Sequence, residues 1–420
     1  MKIFKFGGAS VTDAKGVQNV VQIIGKHSKE KLLIIISAMG KTTNALELLC
    51  QAYFFKEENV QDLLDKVRSY HTNIIEALFT DKQHPVFTEV HNLFVELEWV
   101  LDEEPYGEYD FVYDQIVSIG EMLSSRILSA FLSHSGIKNK WQDVRDCIHT
   151  DNNYRQANVN WDKTIASINM VHQNAKAAED VLVTQGFIGV TSENYTTTLG
   201  REGSDYSAAI FAFALNAESV TIWKDVPGVL NADPRYFKEA LKLDTLSYQD
   251  AVELAYYGAT VIHPKTIQPL ENKGIPLFVK SFLLPDAHGT RISVEGKTTP
   301  NLPSYILKLK QVLISISARD FSFIVEANLS HIFEIFNRHK SSIHLMQHSA
   351  LSFSVCTDFS ERTGDLLQEL KNKYKVLYND GLELLTIRHY DAEAIEKAII
   401  DKDILLEQRS RSTIQMVYRK

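Results

Sequence analysis

Three things are scarce in this 420-residue chain. Cysteine is the first. Cys50, Cys147 and Cys356 stand far apart, in no paired or metal-ligating spacing. That excludes a disulfide-stapled scaffold and reads as reduced, cytoplasmic, non-catalytic thiols. Positive charge is the second. Lys and Arg number 44 against 53 Asp and Glu, a formal net charge of −9, which argues against general nucleic-acid binding. Long apolar runs are the third. None approaches the length of a membrane span, and Met1 leads straight into a strand-like Ile3-Phe4, so neither a membrane nor a secretory leader is expected. The histidines are scattered without metal-ligand spacing, so no protein-built metal site is expected. The remainder is ordinary globular material, 45% hydrophobic and 23% charged, at a length that suits two or three domains.

The densest chemistry lies in Thr197-Thr198-Leu199-Gly200-Arg201-Glu202-Gly203-Ser204-Asp205, just ahead of an Ala-rich helical run, Ala208 to Ala217. Glycines let backbone N–H groups approach an anion, and a helix N-terminus adds a favourable dipole. Arg201 can hold a phosphate or carboxylate bidentately. Asp205, in so cationic a loop, stays ionised and can orient a nucleophile or hold a metal. A turn that merely caps a helix would also use Gly, Ser and Asp. It would require neither Arg201 nor a second glycine loop. That second loop is Lys5-Phe6-Gly7-Gly8-Ala9-Ser10, where strand, glycines and helix again form an anion cradle and Lys5 brings a cation. A third element runs from Leu32 to Asn44. Its apolar Leu32 to Ile36 reads as a buried parallel strand ending in Ser37, Thr42, Thr43 and Asn44. Gly40-Lys41-Thr42 imitates the tail of a P-loop. The Walker pattern needs glycine five residues before Gly40, where Ile35 stands, so it is excluded.

In order along the chain, these elements and the next resemble the aspartate kinases of the amino-acid kinase superfamily. Ser118-Ile119-Gly120-Glu121 is similar to the family's Ser-x-Gly-Glu segment, and Gln185-Gly186-Phe187-Ile188-Gly189 precedes the Arg201 loop as it does there. Ile222-Trp223-Lys224-Asp225-Val226-Pro227-Gly228, with Ala232-Asp233-Pro234-Arg235, resembles the nucleotide-side loop. Leu246-Ser247-Tyr248, Glu253 to Ala259, His263-Pro264, Ile275-Pro276 and Gly289-Thr290 complete the set. Any one motif is weak, but their shared order is specific. The resemblance covers roughly residues 1 to 295. It implies an α/β fold, a mostly parallel sheet sandwiched by helices, followed by C-terminal ferredoxin-like α+β ACT domains. It implies ATP-dependent phosphorylation of the side-chain carboxylate of L-aspartate to 4-phospho-L-aspartate, the first step toward lysine, threonine and methionine. A carboxylate is already nucleophilic at neutral pH, so catalysis rests on positioning and on neutralising charge between two anions.

Roles carried over from the family make Lys5 and Asp205 catalytic. Ser37, Thr43, Glu121, Arg201 and Ser204 would hold the substrate, Glu121 by its amine and Arg201 by a carboxylate. Gly7, Gly8, Ser10, Lys224, Asp225 and Arg235 would serve the nucleotide. Mg²⁺ would enter with ATP, held chiefly by phosphates and water. Two departures stand out. The family commonly has Thr where this chain has Lys224, and an ATP-touching Lys where it has Thr260. Two readings stand side by side: a compensating swap, with Lys224 supplying the phosphate charge that Thr260 cannot, or independent drift that leaves Lys224 merely solvent-exposed. Glu202 replaces a common glycine and is expected to point outward, away from a phosphate loop.

Gly296 to Ser304 carries two prolines and reads as a linker between a catalytic region, 1–295, and a regulatory region, 305–420. Residues 44–135 are helix-rich, matching a helical insertion of the family. Beyond the linker, a strand at Val312–Ser317, a helix at Leu329–His339, strands at Ile343–Met346 and Leu351–Cys356, and a helix at Arg362–Lys373 follow the ferredoxin-like plan of an ACT unit, about 305–373. A second, abbreviated unit, about 374–420, has a short helix near Ala392–Ile399. This plan implies a homodimer through the ACT region and an amino-acid effector, lysine or threonine. A bare dimerisation module remains the alternative, since fold alone does not carry function. Other kinases of the superfamily, acting on glutamate, acetylglutamate or UMP, would share the glycine loops. They would not be expected to have Ser118–Glu121 or the ACT-like tail. A non-catalytic sensor would not retain Lys5, Arg201 and Asp205.

Overall fold

The computed structural model describes residues 1–174, 181–259, 262–296, 302–320 and 322–419. The chain forms two compact units. The first comprises Met1–Val229, Lys242–Val252 and Val261–Lys297, and the second Leu230–Leu241, Glu253–Thr260 and Thr298–Lys420.

The strands of the first unit are β1 (Lys2–Phe6), β2 (Leu32–Ile36), β3 (Asn139–Trp141), β4 (Val181–Gln185), β5 (Ile188–Val190), β6 (Thr196–Thr198), β7 (Ser219–Lys224), β8 (Thr245–Ser247), β9 (Leu277–Ser281) and β10 (Thr290–Ser293). Eight of them make one sheet in the order β3-β4-β2-β1-β7-β9-β10-β8, and β5 and β6 pair separately as a hairpin. The run from β3 to β9 is parallel throughout, while β10 turns antiparallel to β9 and carries β8 with it. Every residue of β2, Leu-Leu-Ile-Ile-Ile, is buried. A strand covered on both faces needs no polar alternation. In β1 the pleat separates chemistry instead: Phe4 and Phe6 pack by Trp223, the Phe6 ring stacked on it at 5.8 Å, and Lys5 projects from the other face.

The helices are α1 (Ala14–Lys26), α2 (Thr42–Phe54), α3 (Val60–Leu78), α4 (Pro85–Asp102), α5 (Tyr109–Val117), α6 (Ile119–His134), α7 (Trp161–Asn174), α8 (Gly203–Leu215), α9 (Tyr248–Tyr257) and α10 (Pro264–Lys273). Helices α2 to α6 fill the stretch read as an insertion. Together α5 and α6 form a stretch, Tyr109–His134, long and apolar enough to cross a membrane by length and composition. The sequence reading saw no such run. This one is mostly buried, with Ile116, Leu123, Ile127 and Leu128 in the interior, as a core helix requires.

The second unit adds β11 (Ser304–Ser317), α11 (Glu326–Arg338), β12 (Ile343–His348), β13 (Ser352–Asp358), α12 (Thr363–Lys373), β14 (Lys375–Arg388), α13 (Ala392–Ile399), β15 (Asp403–Arg409) and β16 (Thr413–Arg419). The strands form a single antiparallel sheet, β12-β13-β11-β14-β16-β15. Val312, Ile314 and Ile316 of β11 meet Ile332, Ile335 and Phe336 of α11 and Leu366 and Leu370 of α12 in one core. The strand pairing interleaves the halves expected at 305–373 and 374–420. β11 and β14 are each 14 residues long and run through both halves. Ser304 to Lys308 pairs with Leu384 to Arg388, giving the later half a strand that precedes the earlier one. Sequence periodicity saw only Val312 to Ser317 because a register shift between Lys308 and Gln311 breaks the alternation.

Candidate functional site

Ligands of open α/β sheets bind beyond the carboxyl ends of the parallel strands. Here β1, β2, β4 and β7 end at Gly7-Gly8, at Ser37-Ala38, at Gly186 and at Lys224. The first two turns are stitched together. Ser37 N–H donates to Phe6 O at 3.1 Å and Gly40 N–H to Gly8 O at 3.0 Å. A side chain at Gly8 would place its Cβ 2.7 Å from the carbonyl oxygens of Ala38 and Gly40, so only glycine fits. Gly186 does the same for α8: a Cβ there would lie 2.4 Å from that of Ser204. The first turn of α8 thus rests on the end of β4, with Ser204 and Asp205 buried.

Lys5 pairs in register with Ile222, so Lys5 and Lys224 project from the same face of adjacent strands. Asp205 of α8 lies between them. Lys5 Nζ is 2.7 Å from Asp205 Oδ1, and Lys224 Nζ is 3.6 Å from Oδ2. Burial alone would push the Asp205 carboxyl up, but the two ammonium groups outweigh it and hold the carboxyl below its ordinary range. The Asp205 side chain is 3% exposed and those of Lys5 and Lys224 are 10% and 22% exposed, so the cluster opens on the Lys224 side.

Glu121, in the first turn of α6, is buried. Its Oε1 accepts from Ala38 N–H at 3.2 Å. Its Oε2 has no hydrogen-bond partner among the described residues. Burial raises the Glu121 carboxyl to about 8, and the Ala38 N–H and the nearby Lys5 charge pull only partly against it. A buried carboxylate oxygen without a donor is costly unless a ligand supplies one.

The other expected residues divide. Ser37 and Thr43 are half-buried, at the end of β2 and in the first turn of α2. Arg201 is exposed in the turn before α8, and Asp225 is exposed after β7. Ser10, expected at the nucleotide, is fully buried and its hydroxyl donates to Gly7 O at 2.6 Å. It shapes the glycine loop from behind. Arg235 belongs to the second unit, where it forms an exposed pair with Asp233 at 2.6 Å. Thr260 lies outside the described residues.

Glu202 corrects its expectation. Its side chain is not flung outward, since Oε2 is buried without a hydrogen-bond partner among the described residues. Its backbone sits in the left-handed region at φ +55°, as the N-cap of α8. Only glycine adopts that conformation without strain. Glu202→Gly is therefore expected to stabilise the fold by about 1 kcal/mol, while Glu202→Ala, which keeps the strained φ, does not. Urea midpoints of the three proteins check this.

Sequence reasoning missed Asp114. It is fully buried on α5 and accepts from Thr198 N–H at 2.8 Å, Thr198 Oγ1–H at 2.7 Å and Arg155 N–H at 3.0 Å. It thereby fixes β6, which leads into the Arg201 loop. Burial lifts its carboxyl to about 6 against those three donors. The available signal was a single acid within the apolar stripe Phe111 to Val117.

Comparison with known proteins places this geometry. A family model described as the amino acid kinase family matches residues 1–281. The lysine-sensitive aspartokinase 3 of Escherichia coli (strain K12) is 30% identical over 395 residues, 92% of this chain and 86% of that one. Two crystal structures of E. coli aspartokinase III superpose along the chain at 27% identity. One, in complex with lysine and aspartate in the T-state, gives a TM-score of 0.84 over 99% of this chain and 95% of that one. The other, with aspartate and ADP in the R-state, gives 0.82 over 100% and 96%.

Proposed function

The chain belongs to the amino acid kinase family, and from that premise we propose how its own residues perform the reaction. The activity is that of an aspartate kinase: ATP-dependent phosphorylation of the side-chain carboxylate of L-aspartate. A carboxylate oxygen bonds to the γ-phosphorus while the bond from that phosphorus to the β–γ bridging oxygen breaks. ADP leaves with the electron pair. No proton need be removed from the nucleophile. The chemical difficulty is repulsion between two anions, which preorganised positive charge relieves.

The observation that carries the mechanism is the Lys5–Asp205 pair beside Gly7 and Gly8. Asp205 fixes the Lys5 ammonium where the transferring phosphate must pass, and the glycine-loop amides assist it. Glu121 Oε2 takes the substrate ammonium, and Arg201, with Ser37, Thr43 and Ser204, takes the α-carboxylate and orients the acceptor. Lys224 and Asp225 line the nucleotide. Arg235 remains a proposed nucleotide residue on resemblance alone. Mg²⁺ fits best as part of the incoming nucleotide, because Asp205 is occupied by two lysines and no three His, Cys, Asp or Glu side chains converge among the described residues. When bound, it screens the phosphate charge.

The second unit supports a regulatory reading. The E. coli relative is named lysine-sensitive and its structure holds lysine, so lysine or threonine is proposed as the effector. Among the described residues β12 and β15 are the edge strands of the sheet, and a homodimer through this unit would cover one. A cytoplasmic setting accords with three free, buried thiols. The deciding assay is ATP-dependent hydroxamate formation from L-aspartate, repeated with lysine and with threonine. Hydroxamate that requires both ATP and aspartate supports the reading, and its absence overturns it.

A further inference from the structure

Two ammonium groups share one carboxylate at the heart of this site. Lys5 stands 2.7 Å from one oxygen of Asp205 and Lys224 stands 3.6 Å from the other. Asp205 can offset one charge, so the three side chains carry a net charge of +1. That surplus lies at the carboxyl ends of β1 and β7, beside the glycine turn and the N-terminus of α8, which adds a further positive potential. An anion that enters there meets positive potential from all of these groups.

The two lysines are not equivalent. The Lys5 distance is that of a close ion pair, and the Lys224 distance is longer. Lys5 is also the more deeply buried, at 10% side-chain exposure against 22%. Lys5 is thus the inner member of the cluster, and Lys224 is the one on its more exposed side. The position matters because Lys224 is the last residue of β7, and the chain turns there into exposed Asp225.

We propose that Lys224 is a second phosphate-gripping residue of the transfer reaction, its ammonium shared between Asp205 and the β- and γ-phosphates of ATP. This deepens the aspartate kinase reading and rests on it. Lys224 gives and takes no proton. It stabilises the charge that gathers on the bridging oxygen as the bond to the γ-phosphorus breaks. Asp205 is then a positioning residue for both lysines. It tethers Lys224 beside Lys5 and lets the cluster carry a single excess charge rather than two.

The role is specific to phosphates beyond the first, so nucleotides of different length separate it from a structural one. In calorimetric titration, Lys224→Thr should bind ADP about tenfold or more weakly. AMP affinity should hold. The KM for ATP should rise by a similar factor with the KM for aspartate nearly constant, and Lys224→Arg should restore most of the loss. Lys224→Gln, neutral but of comparable reach, serves should Thr disturb the end of β7. Unchanged ADP binding in the neutral variants, or equal weakening of ADP and AMP, overturns the proposal. Hydroxamate formation by the unaltered protein is scored separately. If that fails, the kinase reading falls. If it succeeds while Lys224→Thr binds ADP normally, only this inference falls.

Discussion

Lys5→Met is expected to lower turnover on L-aspartate by about 10²–10³-fold, the range typical for removing one preorganised group that meets developing charge. The loss should fall on kcat more than on either Michaelis constant, because the charge that Lys5 offsets builds only as the two anions meet. Removing Lys5 also leaves Asp205, 2% exposed, with Lys224 as its remaining cation in this cluster. The variant keeps the apolar packing of Phe4 and Phe6, which lie on the other face of β1. Its unfolding midpoint should therefore stay close to that of the unaltered protein. Steady-state rates on aspartate check the claim, and near-normal turnover would remove Lys5 from the chemistry.

The second large effect concerns the substrate amine. Succinate, which lacks it, should be phosphorylated about 10²–10³-fold less efficiently than aspartate, because a site built for a polar group rejects an analogue that leaves its partner unpaired. Glu121→Ala should then cost aspartate heavily and succinate little. The same residue sets a pH signature. In the free enzyme burial holds the Glu121 carboxyl at about 8, so at neutral pH it is mostly protonated. An ammonium needs the ionised form. Binding aspartate therefore releases a proton, and the KM for aspartate should fall by up to about tenfold per unit as pH rises toward 8, then level off. Succinate should show no such slope. Equal losses for both substrates in Glu121→Ala would remove Glu121 from the amine site.

Much of this was legible in residues whose local chemistry is unusual. A lysine inside an apolar strand start, glycines at strand ends and an Arg-Glu-Gly-Ser-Asp turn before an Ala-rich helix can hardly be read as packing. The helix at Ala392–Ile399 was equally plain, since Asp391 caps it by accepting from Ala394 N–H at 2.7 Å. What the sequence left unread shares a cause. Ser10, Glu202 and Asp114 take their meaning from partners or backbone angles that composition does not encode. A hydroxyl that folds back on Gly7, a left-handed N-cap and an acid reaching across to Thr198 all require three dimensions. The joining of β11 to β14 is also long-range, set by pairing across all of the chain between Ser317 and Lys375.

The division of the chain into its units has a consequence for how such a protein can be taken apart. Leu230–Leu241 and Glu253–Thr260 belong with Thr298–Lys420, although both arise inside the stretch that builds the first sheet. Phe237 packs against Tyr305, and Glu253 forms an ion pair with Arg388. A stop codon after Lys297 would therefore not yield a tidy first unit. It would strip the cover from Phe237 and leave Glu253 without Arg388, in segments that the fragment still carries. Nor could the later portion be exchanged between relatives as a cassette, because part of its interior is written upstream. Recombination that respects this molecule must carry at least three pieces of sequence together, which ties the inheritance of the two units to one another.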